Sequence, residues 1–140
     1  KDPLEKDEAL FCSLGALIDK YGSWSTGLLE KREPRAIARV CDYMQAHFGD
    51  ELNLEMLANI AGMSRAYFVR VFAKNMNQTP HSYLTDIRIR AARKLLNFGR
   101  DPMSVAIECG FFDQSHLNRH FKRRIGITPG AYKNMHAHQN

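Results

Sequence analysis

Apolar residues recur along this chain at spacings of three and four and nowhere alternate strictly, so the pattern predicts helices from end to end. Leu10, Phe11, Leu14, Leu17, Ile18 and Tyr21 form a narrow stripe over residues 10–21, an amphipathic helix ended by the Gly22-Ser23 break. Residues 23–31 show little periodicity and read as a connector, with a domain boundary near Glu33. Pro34 suits the first position of the next helix, in which Ile37, Val40, Cys41, Met44 and Phe48 line one face as far as Gly49. Further along, Thr79 caps and Pro80 opens a helix over 80–97, with Leu84, Ile87, Ala91 and Leu95 on one face and Gly99 at its end. The fold class this implies is all-α.

Two stretches share one plan at a spacing of 48 to 49 residues, and that self-similarity says more than any single element. In the first, Asn53 caps a short helix, Leu57 and Ala58 face inward and Gly62 stops it; in the second, Asp101, Pro102, Val105, Ala106 and Gly110 take the same parts. After each glycine come an apolar residue, a capping residue and an apolar residue four further on: Met63, Ser64 and Phe68, then Phe112, Asp113 and Leu117. That is the pattern of a hydrophobic staple, with Phe111 as one extra turn residue in the second copy. Arg70 then matches Arg119, Phe72 matches Phe121, and Thr79-Pro80 with Tyr83 match Thr128-Pro129 with Tyr132. Small residues at Ala58 and Ala106 let a second helix cross closely, and the glycines suit a left-handed backbone. Each copy is therefore a helix-turn-helix, at 53–75 and 101–124, with the 80–97 helix between them.

Composition narrows the function. With 140 residues, 44% hydrophobic and 25% charged, the chain has enough apolar side chains for a packed core, and its apolar runs are too short to suggest a membrane span or a secretory leader. Cys12, Cys41 and Cys109 are widely spaced, without a C-x-x-C pair, and read as reduced thiols. The net charge of +5 is uneven: residues 1–33 carry five Lys/Arg against seven Asp/Glu, and residues 34–140 fifteen against eight. A basic second part favours nucleic acid through phosphate neutralisation. Neither a nucleophile elbow, nor a phosphate-cradling glycine loop, nor a carboxylate pair is present, which argues against an enzyme; no cofactor is expected. His116 and His120 stand four apart on a helix, but without a third ligand nearby they do not make a metal site.

The segments MSRAYFVRVF (63–72), RIRAARKLL (88–96) and GFFDQSHLNRHFKRRIGITPGAY (110–132) closely resemble the DNA-binding domain of AraC/XylS-type bacterial transcription regulators. The resemblance covers roughly residues 35–133. It implies seven helices, two helix-turn-helix subdomains joined by a long helix, and readout of an asymmetric promoter site in double-stranded DNA. It also implies RNA polymerase as a further partner and a place on the nucleoid in the cytoplasm. The domain reading that follows is 34–140 for DNA binding and 1–33 for a helix and linker left from a regulatory domain. Residues 10–21 would then form a dimer or regulatory-domain contact. The 80–97 helix, about 27 Å long at 1.5 Å per residue, is comparable to the roughly 34 Å of one DNA turn, a length suited to holding two recognition helices in successive major grooves.

Helical geometry selects the residues that meet DNA. With Phe68 and Phe72 inward, the outward stripe is Ala66, Val69 and Arg70, with Arg65 beside it; with Leu117 and Phe121 inward, it is Ser115, Asn118 and Arg119, with Gln114 beside it. The resemblance implies base-reading positions on the same stripes. Arg70 and Arg119 are expected on guanine, Gln114 on adenine, Ala66 and Val69 against thymine methyls. Lys74, Lys122, Arg123 and Arg124 are expected on phosphates. A helical protein-interaction module with a basic face for an acidic partner would also explain the repeat and the charge. It would not explain the concentration of polar and basic side chains on the outward stripe of a unit's second helix.

Overall fold

The computed structural model describes residues 2–21 and 27–137, with side chains described outside 14–31 and 137, and within these residues every regular element is an α-helix. In order they are α1 (Pro3–Tyr21), α2 (Gly27–His47), α3 (Leu54–Ala61), α4 (Arg65–Met76), α5 (Pro80–Asn97), α6 (Pro102–Glu108), α7 (Gln114–Ile125) and α8 (Pro129–Ala137). Both helix-turn-helix units and the long helix between them lie where the repeat placed them.

The N-terminal region departs from the expected pattern. α1 starts at Pro3, seven residues before the expected helix, with the Asp2 carboxylate accepting from the Leu4 N–H at 3.1 Å as its cap. Among its described side chains Leu4 and Glu8 are buried, while Leu10 is 58% exposed. The expected stripe at Leu14, Leu17, Ile18 and Tyr21 lies outside the described side chains. α2 begins at Gly27 and carries Pro34 in its interior, where a start had been expected. Leu28, Leu29, Glu30, Lys31 and Arg32 are all strong helix formers, and together they outweigh the donor that Pro34 withholds.

The chain divides into two compact units, one of Lys1–His47 with Leu52–Tyr83, the other of Phe48–Glu51 with Leu84–Asn140. This division does not follow residue 33, because α1 packs on α3 and α4. The core of the first unit joins Ile37, Val40 and Met44 of α2, Leu54, Leu57 and Ala58 of α3, and Phe68 and Phe72 of α4. Phe72 meets Phe68 and Tyr83 with ring centroids 5.7 Å apart in each pair.

In the second unit, Ile89, Ala92 and Leu96 of α5 pack with Val105, Ala106, Phe111, Leu117, Phe121 and Tyr132. Ala91 and Leu95, expected on the inward face, sit at the edge of this core, one residue out of phase. The second unit also holds the loop Phe48–Glu51 by a buried cation. Arg88 donates from Nε to the Phe48 carbonyl at 2.7 Å and from Nη2 to the Asp50 carbonyl at 2.9 Å. Gly110 lies against the same spot: a Cβ there would stand 2.6 Å from the Phe48 carbonyl oxygen and 2.8 Å from Arg88 Nε.

Candidate nucleic-acid interface

The internal repeat is also a repeat of hydrogen bonds. Asn53 caps α3 by accepting from Met56 N, and Asp101 caps α6 by accepting from Ser104 N. Each first helix closes with a bond reaching back over its glycine, Met63 N–H to the Ala58 carbonyl at 3.0 Å and Phe111 N–H to the Ala106 carbonyl at 2.9 Å. Gly62 and Gly110 hold φ of 70° and 90°, a region that favours glycine. Ser64 and Asp113 then cap α4 and α7, which end at Asn77 and Gly126, both left-handed. In this way a second helix is set at a defined angle on the first in each unit.

One detail of the turn is corrected. Phe112 was read as the staple residue, but it is 85% exposed, and Phe111 is the one buried. Phe111 meets the His116 ring edge-on at 5.4 Å, and the Phe112 N–H donates to His116 Nδ1 at 3.0 Å. With two adjacent phenylalanines either could fill the position, and the extra turn residue points the second of them outward. His116 and buried His120 meet edge-on with ring centroids 4.8 Å apart as part of this packing.

On α7 the expected stripe is assembled. Gln114, Ser115, Arg119, Lys122 and Arg123 are exposed, and Asn118 is half-buried beside them. Arg124 is not on it: its Nε donates to Asp86 Oδ1 at 2.7 Å, so this expected phosphate contact is a strut between α7 and α5. On α4 the outcome is divided. Arg65 and Lys74 are exposed, Ala66 and Arg70 are half-buried, and the Arg70 guanidinium lies 5.3 Å from the Tyr67 ring centroid. Val69, expected on the groove-facing stripe, is 1% exposed. α1 packs along this side of α4, where the Arg65 guanidinium lies 5.1 Å from the Phe11 ring centroid, one turn before Val69.

The N-terminal half of α1 is tied to the start of α5 by polar groups. Glu8 accepts from the His81 backbone N–H at 2.7 Å, and Asp2 Oδ2 lies 2.9 Å from His81 Nε2. Burial pushes the Glu8 carboxyl above the usual range, against the lowering effect of its hydrogen bonds to His81 and Thr79.

Sequence reasoning missed a basic cleft of about 740 Å³ beside the first turn. Arg32, Arg35 and Arg39 of α2 line it together with Gly62, Met63, Ser64 and Tyr67. All three arginines are exposed, and Glu33, the one carboxylate among the described lining residues, is buried and accepts from the Tyr67 hydroxyl. Their spacing along one helical face was the available signal. Starting the helix at Pro34 left Arg32 outside it and hid the row.

The chain matches the model of a helix-turn-helix domain over residues 57–135. It is 37% identical over 118 residues to the HTH-type transcriptional regulator YbfI of Bacillus subtilis, covering 84% of this chain and 42% of YbfI. It is 32% identical to the HTH-type transcriptional regulator MtrA of Neisseria gonorrhoeae, covering 76% of this chain and 35% of MtrA. The chain thus spans less than half the length of these two curated relatives. Among solved structures, the DNA-binding domain of the transcriptional factor AdpA, in complex with a target DNA, superposes with a TM-score of 0.71 at 30% identity, covering 74% of this chain and 95% of that one. With a helix-turn-helix model matched over more than half its length and the duplicated cap, turn and helix in place, the chain belongs to the AraC/XylS family of helix-turn-helix transcription regulators.

Proposed function

We propose that this chain binds a specific, asymmetric promoter site in double-stranded DNA, with α4 and α7 as its recognition helices in neighbouring major grooves. The observation that carries the reading is the outward face of α7. Five exposed polar or basic side chains share one helix with an inner face of Leu117, His120 and Phe121. A surface built only to be solvated has no need to segregate glutamine, serine, asparagine and arginine at groove-reading spacing. In this reading Gln114, Ser115, Asn118 and Arg119 read bases on one side of the site, and Arg65, Ala66 and Arg70 on the other.

Lys74, Lys122 and Arg123 neutralise phosphates, joined by Arg32, Arg35 and Arg39 in the cleft beside the first turn. Serine hydroxyls and arginines near a helix-turn-helix are common backbone anchors that set register without reading sequence. Residues 34–140 are taken as the DNA-binding part. As regulators act on transcription, contact with RNA polymerase and a place on cytoplasmic chromosomal DNA belong to the same reading. A contact of residues 10–21 with a second copy or a regulatory domain does too, and sedimentation of the chain at micromolar concentration tests the second copy. No helix among the described residues is long and apolar enough to cross a membrane.

Repeated selection from a pool of random duplexes tests the proposal. The expected product is one non-palindromic consensus in which two short blocks are separated by about one helical turn. A pool that stays random after selection refutes sequence reading.

A further inference from the structure

Two occupants have a claim on one face of α4. The proposed reading turns Arg65, Ala66 and Arg70 towards a groove, and helical geometry puts Val69 on the same stripe, whereas in the structure α1 packs on α4 and Val69 is 1% exposed. A major groove about 12 Å wide admits one helix about 10–12 Å across, and α4 fills it when seated to the depth of Val69. A second helix alongside does not fit. We propose that α1 and DNA compete for α4: docked α1 is an autoinhibitory strap, and the first helix-turn-helix reads bases only after α1 lifts away.

Three observations on α1 support this role. Residues 1–8 carry Asp2, Glu5, Asp7 and Glu8 against Lys1 and Lys6, so a net acidic segment leads into a helix that packs on α4, the carrier of Arg65 and Arg70, the charge relation a DNA backbone would have. Among the described side chains of α1, those up to Ser13, the apolar hold is small, with Leu4 fully buried, Phe11 half-buried and Leu10 exposed. Its polar hold is reversible. Glu8 satisfies the His81 N–H, one of the amide donors at the start of α5 that have no partner within their own helix. When α1 leaves, water takes over both the carboxylate and the amide, so release strands no buried polar group.

The inference rests on α4 being a recognition helix, and the test separates the two ideas. Binding of the selected duplex is titrated by fluorescence anisotropy for the unmodified chain and for Leu4→Ala/Phe11→Ala, which loosens α1, frees Arg65 from the Phe11 ring and leaves every residue of α4 in place. The variant is expected to bind roughly tenfold or more tightly, the factor by which the docked state outnumbers the open one. By reciprocity, adding duplex to the unmodified chain should speed amide exchange within residues 4–13 while slowing it in α4. That second measurement holds even if the variant unfolds. Specific binding with the α1 amides still protected, or with no gain in the folded variant, overturns the strap and leaves the reading of α4 standing. Absence of specific binding by both chains removes the reading and the strap together.

Discussion

Alanine at Gly110 is expected to cost far more stability than alanine at Gly62, although the two glycines hold the same place in the repeat. Both have a positive φ, 70° at Gly62 and 90° at Gly110, and an alanine in the left-handed region costs about 1–2 kcal/mol. Part of that is returned by the smaller entropy of the unfolded chain, about 0.4–1 kcal/mol, leaving a net cost near 1 kcal/mol from backbone alone. At Gly62 nothing lies within 4 Å of the new Cβ, so packing adds no further cost there. At Gly110 the Cβ would meet the Phe48 carbonyl oxygen at 2.6 Å and Arg88 Nε at 2.8 Å. Those two atoms are joined by a 2.7 Å hydrogen bond, and the methyl group forces them apart. Overpacking of this kind costs about 1–3 kcal/mol, and weakening a bond from a buried guanidinium adds about 1 kcal/mol or more. The total for Gly110→Ala is about 3–5 kcal/mol, against about 1 kcal/mol for Gly62→Ala. Urea unfolding followed by circular dichroism measures both, with amide exchange to assign the loss to the unit that contains α6 and α7. Equal costs within about 0.5 kcal/mol would refute the argument that the loop Phe48–Glu51 is clamped between Arg88 and Gly110.

Arg119→Ala should weaken binding to the selected site by about 1–3 kcal/mol and relax preference at one base pair, with little change on random DNA; competition titration against both duplexes measures the difference. Replacing Arg35 and Arg39 together with alanine should lower the slope of log affinity against log salt by up to about 1.8 while keeping the ratio of specific to random binding. A slope that does not move would take the cleft out of the interface. Val69→Ala should cost about 1.5–3 kcal/mol of stability in the chain free of DNA, as expected for two buried methyl groups, and thermal melting checks this. The thiols should separate as well: burial pushes Cys109 up to about 11, and Cys41 is buried too, so a disulfide reagent at pH 8 should titrate exposed Cys12 alone until the chain unfolds.

What the sequence revealed most clearly was local chemistry. Caps at Asn53, Ser64, Asp101 and Asp113, and left-handed residues at Gly62 and Gly110, depend on hydrogen bonds within four or five residues, so the residue types alone announce them. The polar stripe of α7 was legible for the same reason, since helical periodicity places it once Leu117 and Phe121 are inward. The misses came from contacts made far along the chain. Arg124 reads as one more cation in a basic run until Asp86, 38 residues away, claims it. The start of α1 was missed because its buried positions before Leu10 include a carboxylate. Glu8 is buried only because the His81 amide, 73 residues on, receives it, and no hydrophobic pattern records that. Val69 was missed in the same way, since nothing near it in sequence announces that it is buried in a helix on which α1 packs.

The central claim is that this chain reads a base sequence, and the most direct measurement is its affinity for the selected duplex and for a random duplex of equal length across a salt series. The account predicts that affinity for both falls steeply with salt, and that the selected duplex stays at least roughly 1,000-fold tighter at physiological ionic strength, as specific DNA-binding domains do. Equal affinity for the two duplexes at every salt concentration would contradict it, and would leave a basic helical surface that binds polyanions without regard to sequence.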